Sequence, residues 1–330
     1  MTEWRENHDS YLPLQAGSAQ LTDFVLQNGE HLDVFLRKTK LFRNDLQRPD
    51  VTLSAMQLAQ LYRNTRAMTT HPDLALRLGQ QLLPSSLVQF SAGLMYAPDV
   101  ARALVFLEHT QALWSPLVHI TSLSSAGHLH WYFSDAQGVL LDAYERNTLF
   151  VATMEALRSA LCWFGQGIDG RQWRYELNSL SPALNSECQS HWLLGDVKHA
   201  TFACLRIPKA QLTQPFIHAS DSLYQMTCQQ IESVPASFLG TIQSYLLEQV
   251  TDMPSLQQMA DRLAMSPATL KRKLKAHRTS YQKQVDSARA LLSHHYAHVL
   301  GYSSEQIADT LCFYDVSNFR RAMKRWLIMT

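Results

Sequence analysis

Two short runs near the C-terminus hold most of the residues able to grip a polyanion. In the first, Lys271, Arg272 and Lys275 follow Ser266-Pro267-Ala268-Thr269. In the second, Arg320, Arg321, Lys324 and Arg325 follow Asp315-Val316-Ser317-Asn318. The chemistry these residue types suit is recognition of a nucleic-acid duplex. An arginine fork matches the edge of guanine, asparagine matches adenine, and lysine offers a point charge to phosphate. Serine takes either phosphate or base. Base or near-base contact is expected from Ala268, Lys271 and Arg272, with Lys275 beside them. In the second run the expected contacts are Val316, Ser317, Asn318, Arg320 and Arg321, with Lys324 and Arg325 on phosphates.

Something must aim those residues. Each run closes a helix-turn-helix pattern. In Leu256–Leu274, Met259, Leu263 and Leu270 would fill the space between two helices, and the small Ala260 lets them cross closely. Ser266 is a good N-cap, and Pro267 stands at the first helical position, where its missing N–H costs nothing. In Glu305–Trp326, Ile307, Ala308 and Leu311 face inward, Asp315 can cap, and Phe319, Met323 and Trp326 pack. Between them, Ser280 to Val299 carries a helical stripe of Tyr281, Val285, Ala288, Leu292 and Tyr296. Twenty helical residues span about 30 Å, against about 34 Å for one turn of DNA. A rod of that length could set two reading helices in successive major grooves. Both motifs run in the same chain direction, so one subunit suits an asymmetric tandem site. A helical hairpin with exposed Lys and Arg also occurs in ordinary bundles. Duplication, the rod and the charge distribution weigh against that plainer reading.

The charge distribution is hidden by the total. The whole chain carries a net charge of only +1. Residues 255–330 hold 12 Lys/Arg against 5 Asp/Glu, a net +7, and the remainder holds 17 against 23, a net −6. A basic end on an acidic body fits phosphate binding at one end only. The chain has 330 residues, 46% hydrophobic and 17% charged, enough for two cores. No apolar run is long enough for a membrane span, and the first residues lack a signal peptide's apolar centre. The five cysteines form no C-x-x-C pair, so neither a zinc cluster nor a disulfide framework is indicated. A bacterial cytoplasmic protein, nucleoid-associated when bound to DNA, is the expectation.

Upstream of the basic end the pattern is helical from Ser18 to about Trp114, with Asp73 and Asp99 placed to start helices. Alternation at His128–Phe133 predicts a strand, closed by the turn Asp135-Ala-Gln-Gly138. A long helix is expected over Glu145–Phe164. Strands are expected at Trp173–Leu177 and Ala200–Ile207, and a helix at Ser220–Ile231. The predicted fold class is an α+β N-terminal sensing domain, then an all-α C-terminal domain with two helix-turn-helix motifs joined by a long linker helix. The predicted domains are 1–232 for effector binding and dimerisation, 233–235 as linker, and 236–330 for DNA binding.

The C-terminal part resembles the AraC/XylS family of bacterial transcription regulators over about Ala236–Thr330. Ala260, Leu263, Met265, Ser266, Thr269, Leu270, Arg272 and Leu274 match the first part of the family pattern, and Arg289 matches its linker-helix arginine. Ile307, Ala308, Leu311, Phe313, Asp315, Ser317, Phe319, Arg321, Ala322, Lys324, Arg325 and Trp326 match the second. Asp73–Gly79, the small-residue helix near Gly93 and Leu205–Phe216 resemble the arabinose-binding-like effector domain of one branch. The resemblance implies a regulator responsive to a small molecule or partner, often an activator, that contacts double-stranded DNA and RNA polymerase and is commonly a homodimer. It leaves activator versus repressor open. It also implies a proline and a short helix beyond Thr330. Three of the family's glycines are replaced here, by Arg278, Cys312 and Ile328. If those backbones need positive φ, the turns are strained or remodelled.

For an effector, Arg146, Trp131 and Trp163 are the candidate contacts, a cation and two aromatics suited to a carboxylate ligand. His119, His128, His130 and Tyr132 lie nearby in sequence. Aromatics at strand spacing are more often core. His294 and His298 share a helix face at metal-ligand spacing, but with no third ligand nearby no metal is expected. Glu145 with Arg146 reads as a helix-start ion pair. No nucleophile motif, phosphate loop or H-E-x-x-H is present, so no catalytic residue and no cofactor is expected. The competing class is a DNA-binding tail fused to an enzyme such as a repair transferase. That would need a reactive cysteine beside a basic or metal partner.

Overall fold

The computed structural model describes all residues except 1–3, 15–17, 70, 84–87, 139, 178–180, 193–197, 232–234 and 328–330. Two units divide the chain: Arg5–Ser237, and Phe238–Thr330 together with Met1–Trp4. Most of the linker expected at 233–235 lies outside the described residues.

The first unit is α+β. Its helices are α1 (Ser18–Gln27), α2 (Leu32–Phe35), α3 (Ala55–Met68), α4 (Leu74–Leu82), α5 (Val88–Met95), α6 (Val100–His109), α7 (Gln111–Trp114), α8 (Ala143–Phe164), α9 (Pro182–Trp192) and α10 (Asp221–Gln230). Strands β1 (Leu12–Pro13) and β2 (Thr52–Leu53) form a small pair. The main sheet uses β3 (Val118–Ser124), β4 (His128–Asp135), β5 (Arg174–Leu177), β6 (Lys198–His199) and β7 (Ala203–Pro208), in the order β3-β4-β7-β5-β6. All its pairings are antiparallel except β5 with β6. The strand at 118–124 was not legible in the sequence. It forms because Ile120 faces Phe133 across a hairpin and buries with it.

Helix α8 is the spine of this unit. Fourteen of its 22 residues are buried, so it is apolar on most sides rather than along one stripe. Asp142 and Glu145 form its capping box, at 2.7 and 2.9 Å. Glu145 also pairs with Arg63 at 3.2 Å, so its ion-pair partner is distant in sequence and is not Arg146. Helix α4 lies close against α8 at Gly79, where a Cβ would sit 2.5 Å from the Ala152 carbonyl oxygen. Only glycine lets the two backbones approach so closely. Asp99 caps α6 as expected, accepting from Arg102 N at 2.8 Å. Asp73 stands at the N-cap of α4, but its carboxylate pairs with Arg77 at 3.3 Å instead of capping. Among the described residues no helix is long and apolar enough to cross a membrane.

The described part of the second unit is helical: α11 (Phe238–Glu248), α12 (Leu256–Arg262), α13 (Pro267–Ala276), α14 (Tyr281–His298), α15 (Ser304–Thr310) and α16 (Val316–Leu327). Phe238, Ile242 and Leu246 of α11 join Met259, Leu263, Leu270, Leu274, Val285 and Ala288 in one core. Trp4 packs there too, its ring 6.0 Å from that of Phe238.

Candidate DNA-binding surface

Local chemistry builds the first motif. Ser255 and Gln258 form a reciprocal capping box that starts α12, at 3.2 and 2.8 Å. Ala260 is fully buried where α12 meets α13. Ser266 caps α13 by accepting from Thr269 N at 3.2 Å, and Pro267 is its first helical residue. Leu270 and Leu274 then turn inward, while Ala268, Lys271, Arg272 and Lys275 are exposed.

The second motif repeats the plan. Ser303 and Gln306 form the same capping box, again at 3.2 and 2.8 Å. Ile307 and Ala308 are buried as Met259 and Ala260 are. Asp315 accepts from Asn318 N at 2.6 Å and starts α16. Phe319 and Trp326 pack with Phe313 in an aromatic cluster with centroid separations of 5.5 to 6.3 Å. Ser317, Arg320, Arg321, Lys324 and Arg325 are exposed, and Val316 and Asn318 are half-buried. Counted from the two caps, Arg320, Arg321 and Lys324 stand where Lys271, Arg272 and Lys275 stand on α13. Arg321 donates to Asn318 Oδ1, and Arg320 lies 3.6 Å from Glu305 in an exposed pair. Such contacts are weak enough to exchange for a phosphate or a base.

The turns answer the glycine question. Ala264 and Cys312 occupy the same place in the two motifs, with φ of 51° and 53°. In each, the next residue donates five positions back: Met265 N to the Ala260 carbonyl at 2.9 Å, and Phe313 N to the Ala308 carbonyl at 2.8 Å. Arg278, at φ 56°, closes α13 the same way, with Thr279 N donating to the Leu274 carbonyl at 2.9 Å. The left-handed turn is therefore kept without glycine at Arg278 and Cys312, and the side chains bear the strain. Ile328 lies outside the described residues. Cys312→Gly should stabilise the chain by about 1 kcal/mol, because the exposed thiol gives up little packing. Thermal unfolding checks this; an unchanged or lower Tm would contradict it.

Helix α14 joins the motifs. It runs 18 residues from its Ser280 cap, about 27 Å, with no glycine or proline inside it. Two contacts fasten α16 and its turn to it. Arg325 pairs with Asp286 at 2.6 Å, and that carboxylate is only 4% exposed. The Arg289 guanidinium lies 4.9 Å from the centroid of the Phe313 ring. Burial lowers the Arg289 pKa from its ordinary value, and Asp286 partly offsets this. Asp286 was not anticipated from sequence. Its spacing from Arg289 was the available signal, since positions three apart share a helix face.

These features agree with what the chain is similar to. The ornithine utilization regulator of Pseudomonas aeruginosa is 24% identical over 323 residues, covering 93% of this chain and 91% of that one. Uncharacterized helix-turn-helix-type transcriptional regulators of Mycobacterium bovis and Mycobacterium tuberculosis are each 24% identical over 128 residues, 37% of either chain. Residues 29–177 match the model of the arabinose-binding domain at the N-terminus of AraC transcription regulators. The chain is a transcriptional regulator whose residues 29–177 are similar to the arabinose-binding domain of AraC regulators. The crystal structure of transcriptional regulator CdpR from Pseudomonas aeruginosa aligns with this regulator at a TM-score of 0.49 and 16% identity, covering 94% of each chain.

In the regulator's first unit the three residues considered for an effector do not share a pocket. Trp131 is fully buried in β4, and Trp163 is 76% exposed on α8. Arg146 lies near the other end of α8, about 25 Å from Trp163 at the α-helical rise. The regulator's buried thiols are poorly suited to nucleophilic attack. Burial raises Cys162, pushes Cys188 to about 12 and raises Cys204 well above its usual value, whereas an activated thiol is lowered. The His294 and His298 rings are 4.7 Å apart, and no group of three metal-ligating side chains occurs among the described residues.

Proposed function

We propose that this regulator binds double-stranded DNA sequence-specifically through residues 236–330. Residues 1–232 respond to a small molecule or partner and form a homodimer, and the bound chain contacts RNA polymerase in the cytoplasm. The observation that carries the reading is the pair of matched basic helices, α13 and α16, held through one unbroken helix. Each helix shows Lys and Arg to solvent and hydrocarbon to the core. Arg272 and Arg321 are assigned to base edges, and Lys271, Lys275, Arg320 and Lys324 to phosphates or nearby bases, with Ala268, Val316, Ser317 and Asn318 at the groove floor. Arg325 keeps its tie to Asp286 and offers its remaining donors to phosphate. Regulation is a population shift: the effector binds two arrangements of the chain unequally. The enzyme alternative loses support from the raised thiols described above.

Two single variants test the assignment. Arg272→Ala should cost about 1–3 kcal/mol on a selected site and relax base preference. Lys324→Ala should weaken binding evenly across sequences and reduce the salt slope by about 1. Equal loss on specific and random duplexes for Arg272→Ala would reject the base-reading role. The duplex comes from selection out of a random pool with the full chain.

A further inference from the structure

Tyr314 is 95% exposed, more than any other large apolar side chain among the described residues. A lone exposed aromatic is ordinary on a protein surface; its place in the second motif is what singles this one out. In the first motif the left-handed residue Ala264 is followed by Met265 and then by the cap Ser266. In the second, Cys312 is followed by Phe313, then Tyr314, and only then by the cap Asp315. Met265 and Phe313 correspond, since each donates its N–H five positions back. The turn into α16 is therefore one residue longer, and the added residue is Tyr314.

Both neighbours of Tyr314 are anchored. Phe313 N donates to the Ala308 carbonyl at 2.8 Å, and its ring lies 5.5 Å from that of Phe319. Asp315 accepts from Asn318 N at 2.6 Å. With Phe313 turned to the aromatic cluster and Asp315 closing the helix end, the backbone at 314 is fixed and its side chain is sent to solvent. Tyr302, the other partly open aromatic of this unit, is stacked on Tyr296 with centroids 5.5 Å apart. Tyr314 has no such ring neighbour among the described residues. The exposed side chains that follow it are polar or basic: Ser317, Arg320, Arg321 and Lys324. A protein-docking patch would need apolar neighbours. A single phenol leading into a row of cations suits a sugar–phosphate backbone, to which tyrosine is a regular donor.

We propose that Tyr314 is a DNA contact of the second motif, its phenol donating to a backbone phosphate at the rim of the groove that α16 enters. The proposal rests on the reading of α16 as a groove-entering helix and adds a contact to that surface. Val316, Ser317 and Asn318, just inside the cap, are assigned to the groove floor, so the residue just outside the cap stands where the backbone runs. The phenol supplies the donor, and the ring covers the adjoining sugar. Only two side-chain angles need fixing on a backbone already held, so ordering it costs little. The first motif has no counterpart, so the two half-sites are gripped unequally.

The test uses the full chain, its duplex selected from a random pool, and the variants Tyr314→Phe and Tyr314→Ala. Fluorescence anisotropy should show binding weakened about fivefold by Tyr314→Phe and about tenfold by Tyr314→Ala. The salt slope should not change, because a neutral donor releases no counterion, which separates these variants from Lys324→Ala. In ethylation interference, one modified phosphate beside the α16 patch should weaken the parent and have no effect on Tyr314→Phe. All three chains should share one Tm, since the side chain is almost wholly solvated. Parent-like affinity in either variant would overturn the proposal, as would an interference pattern that Tyr314→Phe leaves unaltered. So would Tyr314→Ala that keeps its duplex affinity but lowers transcription by purified RNA polymerase, because the residue would then meet a protein. A parent that grips its duplex while both variants match it defeats this proposal alone; a parent that grips no duplex defeats the DNA-binding reading on which it rests.

Discussion

Replacing Arg272 and Arg321 together with alanine should lower affinity for the selected duplex by at least about thirtyfold, and far less for random duplex. The two arginines occupy equivalent positions on α13 and α16, each six residues past its cap and one residue past an exposed cation. Each fork lost should cost about 1–3 kcal/mol. Because the two belong to separate motifs on one chain, the costs should nearly add. Fluorescence anisotropy at several salt concentrations separates this loss from a general loss of charge. If specific and random duplexes weaken in parallel, the helices grip phosphate only, and sequence is read elsewhere. The comparison also guards against misfolding, because neither side chain is buried.

Glu155→Gln should be the most damaging change in the first unit, costing about 3–5 kcal/mol. Glu155 is fully buried in α8. Burial alone would raise its pKa, but Arg158 at 2.8 Å, His191 at 2.9 Å and Ser159 at 2.6 Å reverse that and hold it at about 2. Trp192 Nε1 also donates to it at 2.8 Å, so the cluster ties α9 to α8. The folded-state pKa lies below the ordinary 4.5. The stabilisation is therefore complete above about pH 4.5 and drains away as the pH falls towards 2. It is worth on the order of 3 kcal/mol at neutral pH. Urea unfolding between pH 7 and pH 3 should show a steep loss of stability in the parent and a flatter profile in Glu155→Gln. Matching slopes would mean the carboxylate is not held as described. The variant's folded fraction should bind DNA as before, since the cluster lies in the other unit.

Local rules carried the sequence reading where the determinants were local. The cap at Ser266, the proline after it, the Ala260 and Ala308 crossings and the limits of α14 all follow from residues within one turn of where they act. The same holds for Asp99 and for the strand at His128–Phe133. What stayed hidden depends on partners far apart in sequence. Nothing near Glu145 points to Arg63, and nothing near Arg325 points to Asp286, 39 positions earlier. Trp131 and Trp163 look alike as letters, yet the sheet buries one and the end of α8 exposes the other.

Hydroxyl-radical and methylation-interference footprinting of the full chain on its selected duplex tests the central claim most directly, that α14 fixes two major-groove readers about one helical repeat apart. Two protected patches should appear on one face of the duplex, with centres about 10–10.5 base pairs apart. Arg272→Ala should erase one and Arg321→Ala the other. A single patch, patches on opposite faces, or joint loss of both with either variant would contradict it.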